Sequence, residues 1–491
     1  MAGKRAESTD QASFWAVDPA GPPGKLRGPT TASPQPGGML AFATFTRFIR
    51  GMSARDENTN MNRLQPDRRA FLGVANLALA APFLCLRGAQ AKSAADTFEF
   101  RDGVGRRSGG PNQHVLSNDF GYPRGDTRDW WQPRSSVDSF SRLDQIFAAS
   151  TARGSAAPSL WRRATREPDI RFNNPTSVGG GRYDIDGYLD RNAVTGLLIA
   201  QGDTILTERY QYDRTDRMRF TSFSMAKTVV ALLVGLAVQD GLITSLEDPA
   251  ERYAPALAGS EYGRTSLRAL LTMSSGVKFR EDYDGIDDAA RLSMATFGRQ
   301  SAGGAAAVTA FNERIAPPGA RWYYASAETF VLALVAREAF RRPLTAVLQE
   351  RIWQPMGAES DATWLTDKSG LEVGYMGFNA VLRDYARLGM LLANSGRAGG
   401  RQLVDAQWVS TMSKPAFSPS QTGRPVGYGF QTWTLPGQKP TFALFGVRGQ
   451  YIFIEPKRQL VMVNTAVRSD ARDAGNASTF ALWGALVSAL A

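Results

Sequence analysis

One cysteine, Cys85, and one histidine, His114, are all that 491 residues contain. Structural zinc sites need several Cys or His ligands and are excluded by that count. A cysteine protease needs a thiol beside an imidazole, and Cys85 falls in a segment read below as removable. A Ser-His-Asp hydrolase would have to use His114, which sits in the polar stretch Pro111-Asn112-Gln113-His114, upstream of any fold signal. Carboxylate-based glycosidases stay open, because 46 acidic residues are available. Any hydrolase that activates a serine here must therefore use a base other than histidine. Lysine is scarce too: nine of the 57 basic residues. The net charge of +11 invites a nucleic-acid reading, but residues 1–91 carry +5 of it (11 Lys/Arg against 6 Asp/Glu), which leaves +6 for 400 residues. No basic run with interleaved aromatics appears, so nucleic acid is not expected as a partner.

What is present is enough apolar residue, 43% with 26 Phe and 10 Trp, for a large core. Residues 1–60 are rich in Gly, Pro, Ser, Thr and Ala without sustained periodicity and read as disordered, or as an extension upstream of the true start at Met61 or Met52. Residues 61–91 then run Arg68-Arg69-Ala70-Phe71-Leu72, an apolar stretch Val74–Leu86 and Ala89-Gln90-Ala91. Paired Arg, a modest apolar run and small-x-small form the layout of a twin-arginine signal peptide, predicting a periplasmic or secreted protein. The sixteen residues from Phe71 to Leu86, with Pro82 inside, are short for a bilayer span. No stable membrane span is expected after cleavage, which would also remove Cys85. Residues 92–185 read as an irregular lead-in that wraps the domain, and residues 186–491 as the domain itself.

Within that domain Val194–Ala200 and Thr204–Tyr210 read as two strands joined at Gly202-Asp203. Met225–Asp240 reads as a buried helix ending at Gly241. Helices are expected at Leu267–Met273, Thr329–Ala339, Leu344–Ile352, Ala380–Asn394 and Thr479–Leu490, and strands at Thr441–Phe445, Tyr451–Glu455 and Leu460–Thr465. This order predicts an α/β (α+β) fold: one antiparallel sheet built from both chain ends, flanked by helices, with a large helical insert.

The chemistry-bearing pattern is Ser224-Met225-Ala226-Lys227, a Ser-x-x-Lys at the entrance of the buried helix. Residues i and i+3 share a helix face, so the amine can reach the hydroxyl. Apolar neighbours and the helix N-terminus both favour a neutral Lys227, a base, and the same N-terminus favours negative charge near Ser224. A plain helix cap would also account for Ser224. A solvated lysine fits poorly with the run Thr228–Leu233 that follows. Ser275-Gly276-Val277-Lys278 repeats the spacing, but in a loop after Leu270–Met273, where a turn is the simpler explanation.

Further segments fall in a recognisable order: Phe223–Lys227, Ser266–Gly276, Pro318-Gly319-Ala320-Arg321-Trp322-Tyr323-Tyr324-Ala325-Ser326, Arg383–Gly389, Tyr428-Gly429-Phe430 and Gly446-Val447-Arg448-Gly449-Gln450. Over roughly residues 185–491 the sequence resembles the β-lactamase/penicillin-binding-protein-like serine hydrolases related to class C β-lactamases. Tyr324-Ala325-Ser326 and the Gly-x-x-Gly-Gln segment are most similar to the 6-aminohexanoate-dimer hydrolase branch. The resemblance implies a β-lactamase/transpeptidase-like fold and a serine hydrolase without cofactor or metal. It implies Ser224 as nucleophile, Lys227 as its base and Tyr324 as proton relay. The backbone N–H groups of Ser224 and of Val447, on an edge strand, would form the oxyanion hole. Ser326 would orient Lys227 or Tyr324.

The sequence departs from β-lactamases in lacking Lys-Thr-Gly, Ser-Asp-Asn and a deacylating Glu motif, so a small linear amide or ester is expected as substrate. Arg448 lies nearby as a candidate replacement cation, although a solvated charge at a strand edge is the simpler account. Asp282, Tyr375 and Gln450 are the remaining candidate substrate-binding residues, with Glu281 and Asp282 on a loop where solvation is the simpler account. A D,D-carboxypeptidase or β-lactamase, and a non-catalytic homologue that binds peptidoglycan or a partner, are the alternatives. Oligomeric state is not legible.

Overall fold

The computed structural model describes residues 96–173, 181–299, 301–437, 441–471 and 476–490. The expected disordered extension and signal peptide lie outside them.

Ten strands make the main sheet. The lead-in supplies β1 (Glu99–Arg101) and β2 (Val104–Arg106); the apolar runs on either side of Gly202-Asp203 supply β3 (Val194–Gln201) and β4 (Thr204–Tyr210). The C-terminal part supplies β5 (Gly427–Tyr428), β6 (Trp433–Thr434), β7 (Phe442–Gly446), β8 (Gln450–Glu455) and β9 (Leu460–Ala466). Their order is β1-β2-β4-β3-β9-β8-β7-β6-β5, with Arg162–Arg163 as a tenth strand beside β4. β3 and β9 pair antiparallel, which closes the two chain ends into one sheet. The expected all-antiparallel sheet needs one correction: β2 and Arg162–Arg163 both run parallel to β4. Both strands belong to the lead-in, whose short polar segments carry no period-2 signal.

Strand alternation divides the core. Leu198 and Ala200 of β3 join Ile452, Ile454, Val461 and Val463 on one face of the sheet, while Leu197 and Ile199 join Phe453, Leu460 and Met462 on the other. The first face meets the helical insert, whose principal members are α1 (Ala226–Gln239), α2 (Ser326–Phe340) and α3 (Leu382–Ala393). The second face is covered by α4 (Asn476–Ala489) through Leu482, Trp483 and Leu486. Each such side chain contributes on the order of 1.5–3 kcal/mol by leaving water. α1 is buried on every side from Ala226 to Ala237, because α2 and the Leu344–Leu348 and Ala406–Met412 helices close on it.

A second sheet, of four strands, was not foreseen: Ala149–Ala152, Ala362–Leu365, Phe378–Val381 and Arg219–Thr221 in that order. It corrects the helix expected from Ala380. Asn379, Ala380 and Val381 pair with Thr221, Phe220 and Arg219, and the helix begins only at Leu382. Through this sheet the lead-in strand Ala149–Ala152 is tied to the strand that leads into Ser224.

Candidate active site

Arg219–Thr221 delivers the chain to a tight 3-10 turn, Phe223–Met225, which runs straight into α1. Ser222 N–H is held by the Phe378 carbonyl at 2.7 Å. Phe223 takes φ +43°, the left-handed region that a bulky residue rarely occupies. Its ring is fixed by Trp130, stacked at 6.1 Å, and Phe140, edge-on at 5.0 Å, both from the lead-in. The strain turns Ser224 outward, half-buried, while Lys227 one helical turn on is only 2% exposed.

Lys227 Nζ donates to Ser224 Oγ at 2.9 Å and to the Tyr375 carbonyl at 3.0 Å. Burial lowers the Lys227 amine from its ordinary value to about 8, partly opposed by the Glu281 carboxylate. Tyr324 presents its ring 5.1 Å from Lys227 Nζ, and a hydrogen bond with Ser224 partly offsets the burial that drives its phenol far above the usual range. The phenol is therefore neutral at ordinary pH. Its ring stacks on Trp433 at 5.5 Å and meets Tyr428 edge-on at 6.2 Å. The Arg424 guanidinium lies over Trp322 and Trp433 in the same aromatic wall. Tyr323 N–H to the Met273 carbonyl, 2.7 Å, anchors the segment. The structure thus brings Ser224 and Lys227, from one turn of the chain, together with Tyr324, from the segment that leads into α2.

Val447 follows β7, at the point where the strand breaks into a 3-10 turn over Val447–Gly449. β7 is not a sheet edge as expected, since β6 follows it. Along β7, however, only Phe442 and Ala443 pair with β6, and the Leu444–Gly446 end passes beside the Phe223–Met225 turn instead. Gly446 lies against the Ser222 carbonyl at a distance no Cβ could occupy. Val447 N–H and Ser224 N–H belong to these two adjoining turns.

The other candidates are placed differently. Arg448, at φ +62°, turns its guanidinium onto the carbonyls of Arg468 and Ser469 at 3.0 and 2.8 Å, where it braces a turn. Gln450 is buried and bonds the backbone of Ala466 through both amide atoms, at 2.7 and 3.2 Å. Tyr375 contributes its carbonyl to Lys227, while its side chain is buried with the hydroxyl on Thr296. Asp282 stands half-exposed near Arg280, and its N–H bonds Asp287. Ser326 does not turn to Lys227 or Tyr324: its hydroxyl and N–H both donate to Glu281, at 2.8 and 2.7 Å.

Glu281, expected in solvent, is instead turned inward. It is 5% exposed, accepts a further bond from the Tyr283 hydroxyl at 2.7 Å, and holds the first residue of α2. Its loop shows no periodicity, so nothing in the sequence distinguishes a carboxylate turned inward from one in water. The second Ser-x-x-Lys comes apart in the structure. Ser275 Oγ donates to buried Glu328 at 2.5 Å, whereas Lys278 points out to Glu313. Among the described residues no group of His, Cys, Asp and Glu is assembled as a metal ion would require.

Comparison with known proteins bears on the region that holds these residues. The β-lactamase family model matches residues 185–481. The chain is 25% identical to the 6-aminohexanoate-dimer hydrolase of Paenarthrobacter ureafaciens over 354 residues, 69% of this chain and 87% of that protein. A solved structure from Bacillus anthracis, named for the same 6-aminohexanoate-dimer activity, superposes with a TM-score of 0.66 at 20% identity, covering 74% of this chain and 95% of that one. The matched span begins just before β3 and reaches into α4, taking in both sheet halves and the helical insert between them. This chain belongs to the β-lactamase family and is a hydrolase of that fold.

Proposed function

We propose that the protein is a serine hydrolase that cleaves amide or ester bonds of small linear substrates through an acyl-enzyme on Ser224. The observation that carries the reading is the 2.9 Å contact between Ser224 Oγ and the buried Lys227 amine. An amine at about 8 is neutral in roughly one molecule in ten at pH 7. Against an ordinary lysine that is an enrichment of roughly 300-fold, from the same logarithmic relation. Lys227 thereby does the work that no histidine is placed to do.

The sequence of steps follows from the neighbours. Ser224 Oγ attacks the carbonyl carbon as its proton passes to Lys227, and the carbonyl electron pair moves onto oxygen. The N–H groups of Ser224 and Val447 receive that oxyanion. The tetrahedral species expels an amine or alcohol, which takes up the proton by way of Tyr324. A neutral phenol suits a relay, because it gives one proton as it gains another. Water then attacks the ester on Ser224, and the proton it loses returns to the serine oxygen.

Arg448 is occupied with backbone carbonyls, so the reading does not include a carboxylate-binding role for it. It favours a linear amide or ester of the kind named for the Paenarthrobacter relative over a β-lactam. It also includes export, on the strength of the Arg68-Arg69 segment.

A small activated ester and a linear ω-amino-acid amide test the reading. The protein should turn over at least the ester, a fluorophosphonate should label Ser224, and Ser224→Ala should retain its fold with activity lost. Equal turnover by Ser224→Ala sinks the assignment. Rapid turnover of a chromogenic cephalosporin alone would favour a β-lactamase. Failure of every substrate and of the label would favour a binding protein.

A further inference from the structure

We propose that Glu281 is a positioning residue that sets the protonation state of the Lys227–Ser224 pair, while its carboxylate also fixes the start of α2 behind Tyr324. The inference rests on the catalytic reading above and adds to it a residue outside the Ser224–Lys227–Tyr324 set.

Three bonds locate the carboxylate. One oxygen accepts the Ser326 N–H at 2.7 Å, and the other accepts the hydroxyls of Ser326 at 2.8 Å and Tyr283 at 2.7 Å. Ser326 is two residues after Tyr324, so the clamp fixes the segment that carries the phenol. With 5% exposure the charge is poorly screened, and its field reaches its neighbours with a force that a solvated loop carboxylate would lack. It acts on the Lys227 amine, favouring the ammonium, and on the phenols of Tyr324 and Tyr375, disfavouring phenolate.

Among the described residues the groups that face Lys227 from the surrounding elements are few. The Tyr324 ring lies 5.1 Å away and the Tyr375 ring 5.9 Å. Tyr428 stands behind Tyr324, and burial holds all three phenols neutral. Glu328, in the first turn of α2, is bonded to Ser275, and burial pushes it up to about 8. Glu281 is the charged group whose field acts on Lys227 against the effect of burial. Burial alone would lower the amine further and make it a weaker base. With the carboxylate in place it stays basic enough to take the serine proton and acidic enough to return it.

The sign follows directly. Removing the negative charge makes the ammonium less favourable, so Lys227 loses its proton at lower pH. Glu281→Gln preserves shape and can still accept the Ser326 N–H. Its profile of kcat/KM against pH on an activated ester should keep the rising limb but move it toward acid by about one pH unit, the lower end of the range for a close opposite charge. Glu281→Asp, which keeps the charge, should move it less. Ser326→Ala, which removes one bond and no charge, should leave the limb where it is, whatever it does to kcat. Circular dichroism and a thermal melt establish that each variant is folded.

A limb that stays fixed in a folded Glu281→Gln, or moves equally in Ser326→Ala, overturns the proposal. If Ser224→Ala or Lys227→Ala keeps wild-type turnover, the catalytic reading itself has failed. If both are inactive and the Glu281→Gln limb is unmoved, only the role of Glu281 has.

Discussion

Gly446 stands so close to the backbone of Ser222 that a Cβ built on it would lie 2.3 Å from the Ser222 carbonyl oxygen and 3.1 Å from Phe223 Cβ. That approach puts the end of β7 against the turn that carries Ser224, and with it the N–H of Val447. Gly446→Ala must push the two apart. On the proposed reading only one oxyanion donor would be displaced, and loss of one such donor costs about 10²- to 10³-fold in kcat. A fall of that size on an activated ester, with KM changed little and the fold retained, is the expected result. Unchanged kcat would place the oxyanion site elsewhere.

Lys227 should be costly to the fold as well as useful to the site. Its ammonium is buried at 2% exposure and its amine lies at about 8, below the ordinary 10.5. The folded state therefore binds fewer protons than the unfolded state between those values. Stability from this group rises with pH across that window, and the penalty is fully present below about 8. At about 1.4 kcal/mol per pKa unit the penalty is roughly 3 kcal/mol, some of it returned by the bonds to Ser224 and Tyr375. Lys227→Met should be inactive, melt higher than wild type at pH 7, and lose most of that advantage by pH 10. A lower melting temperature at pH 7 would show that those bonds outweigh burial.

Gly235, on the helix that begins beside Lys227, gives a purely structural test. A Cβ there would meet the Trp408 indole nitrogen at 2.3 Å, and that nitrogen donates to the Ala231 carbonyl at 3.1 Å. Gly235→Ala ordinarily favours a helix, by about 1 kcal/mol. Here overpacking, at about 1–3 kcal/mol, and the displaced indole bond should win. Chemical denaturation should show a net loss of stability. A gain would mean that Trp408 repacks without strain.

These residues show what a linear reading reaches. The hairpin at Gly202-Asp203, the buried helix after Ser224 and the three C-terminal strands were legible because hydrophobic period and turn chemistry agree there. Observed ends differ by only a few residues, as with Phe442–Gly446 against the expected Thr441–Phe445. Ser224 and Lys227 were legible because their geometry is local, a spacing of three residues at one helix entrance. Glu281 was not, since its inward turn is decided by Ser326, at the distant start of α2, together with Tyr283 of its own loop. Gln450 and Arg448 drew attention as polar residues beside a suspected site. Their partners are backbone groups of the neighbouring strand and turn, which no side-chain pattern reveals. The lead-in was read as irregular. It nonetheless supplies strands to both sheets and the aromatic rings that hold Phe223 at positive φ, and these are tertiary facts without local signal.

Glu328 offers a test with the opposite sign from Lys227. Burial raises its carboxyl to about 8; one oxygen accepts the N–H and hydroxyl of Ser275 at 3.2 and 2.5 Å, and the other is buried without a hydrogen-bond partner among the described residues. The folded state holds this proton where the unfolded state, near 4.5, has released it. Its contribution is therefore complete below about 4.5 and is lost as pH rises toward 8, because ionisation leaves a buried charge whose desolvation the Ser275 bonds do not offset. Glu328→Gln keeps an oxygen for Ser275 and cannot ionise. Its melting temperature should match wild type near pH 5 and exceed it at pH 8.5, by an amount on the order of a few kcal/mol in stability. Because Ser275 belongs to the loop that anchors Tyr323 through Met273, wild-type kcat should also fall above pH 8 more steeply than that of the variant. Parallel melting curves across this range would show that the carboxyl is ionised and satisfied in the native protein, and that the Ser275 bonds alone outweigh its burial.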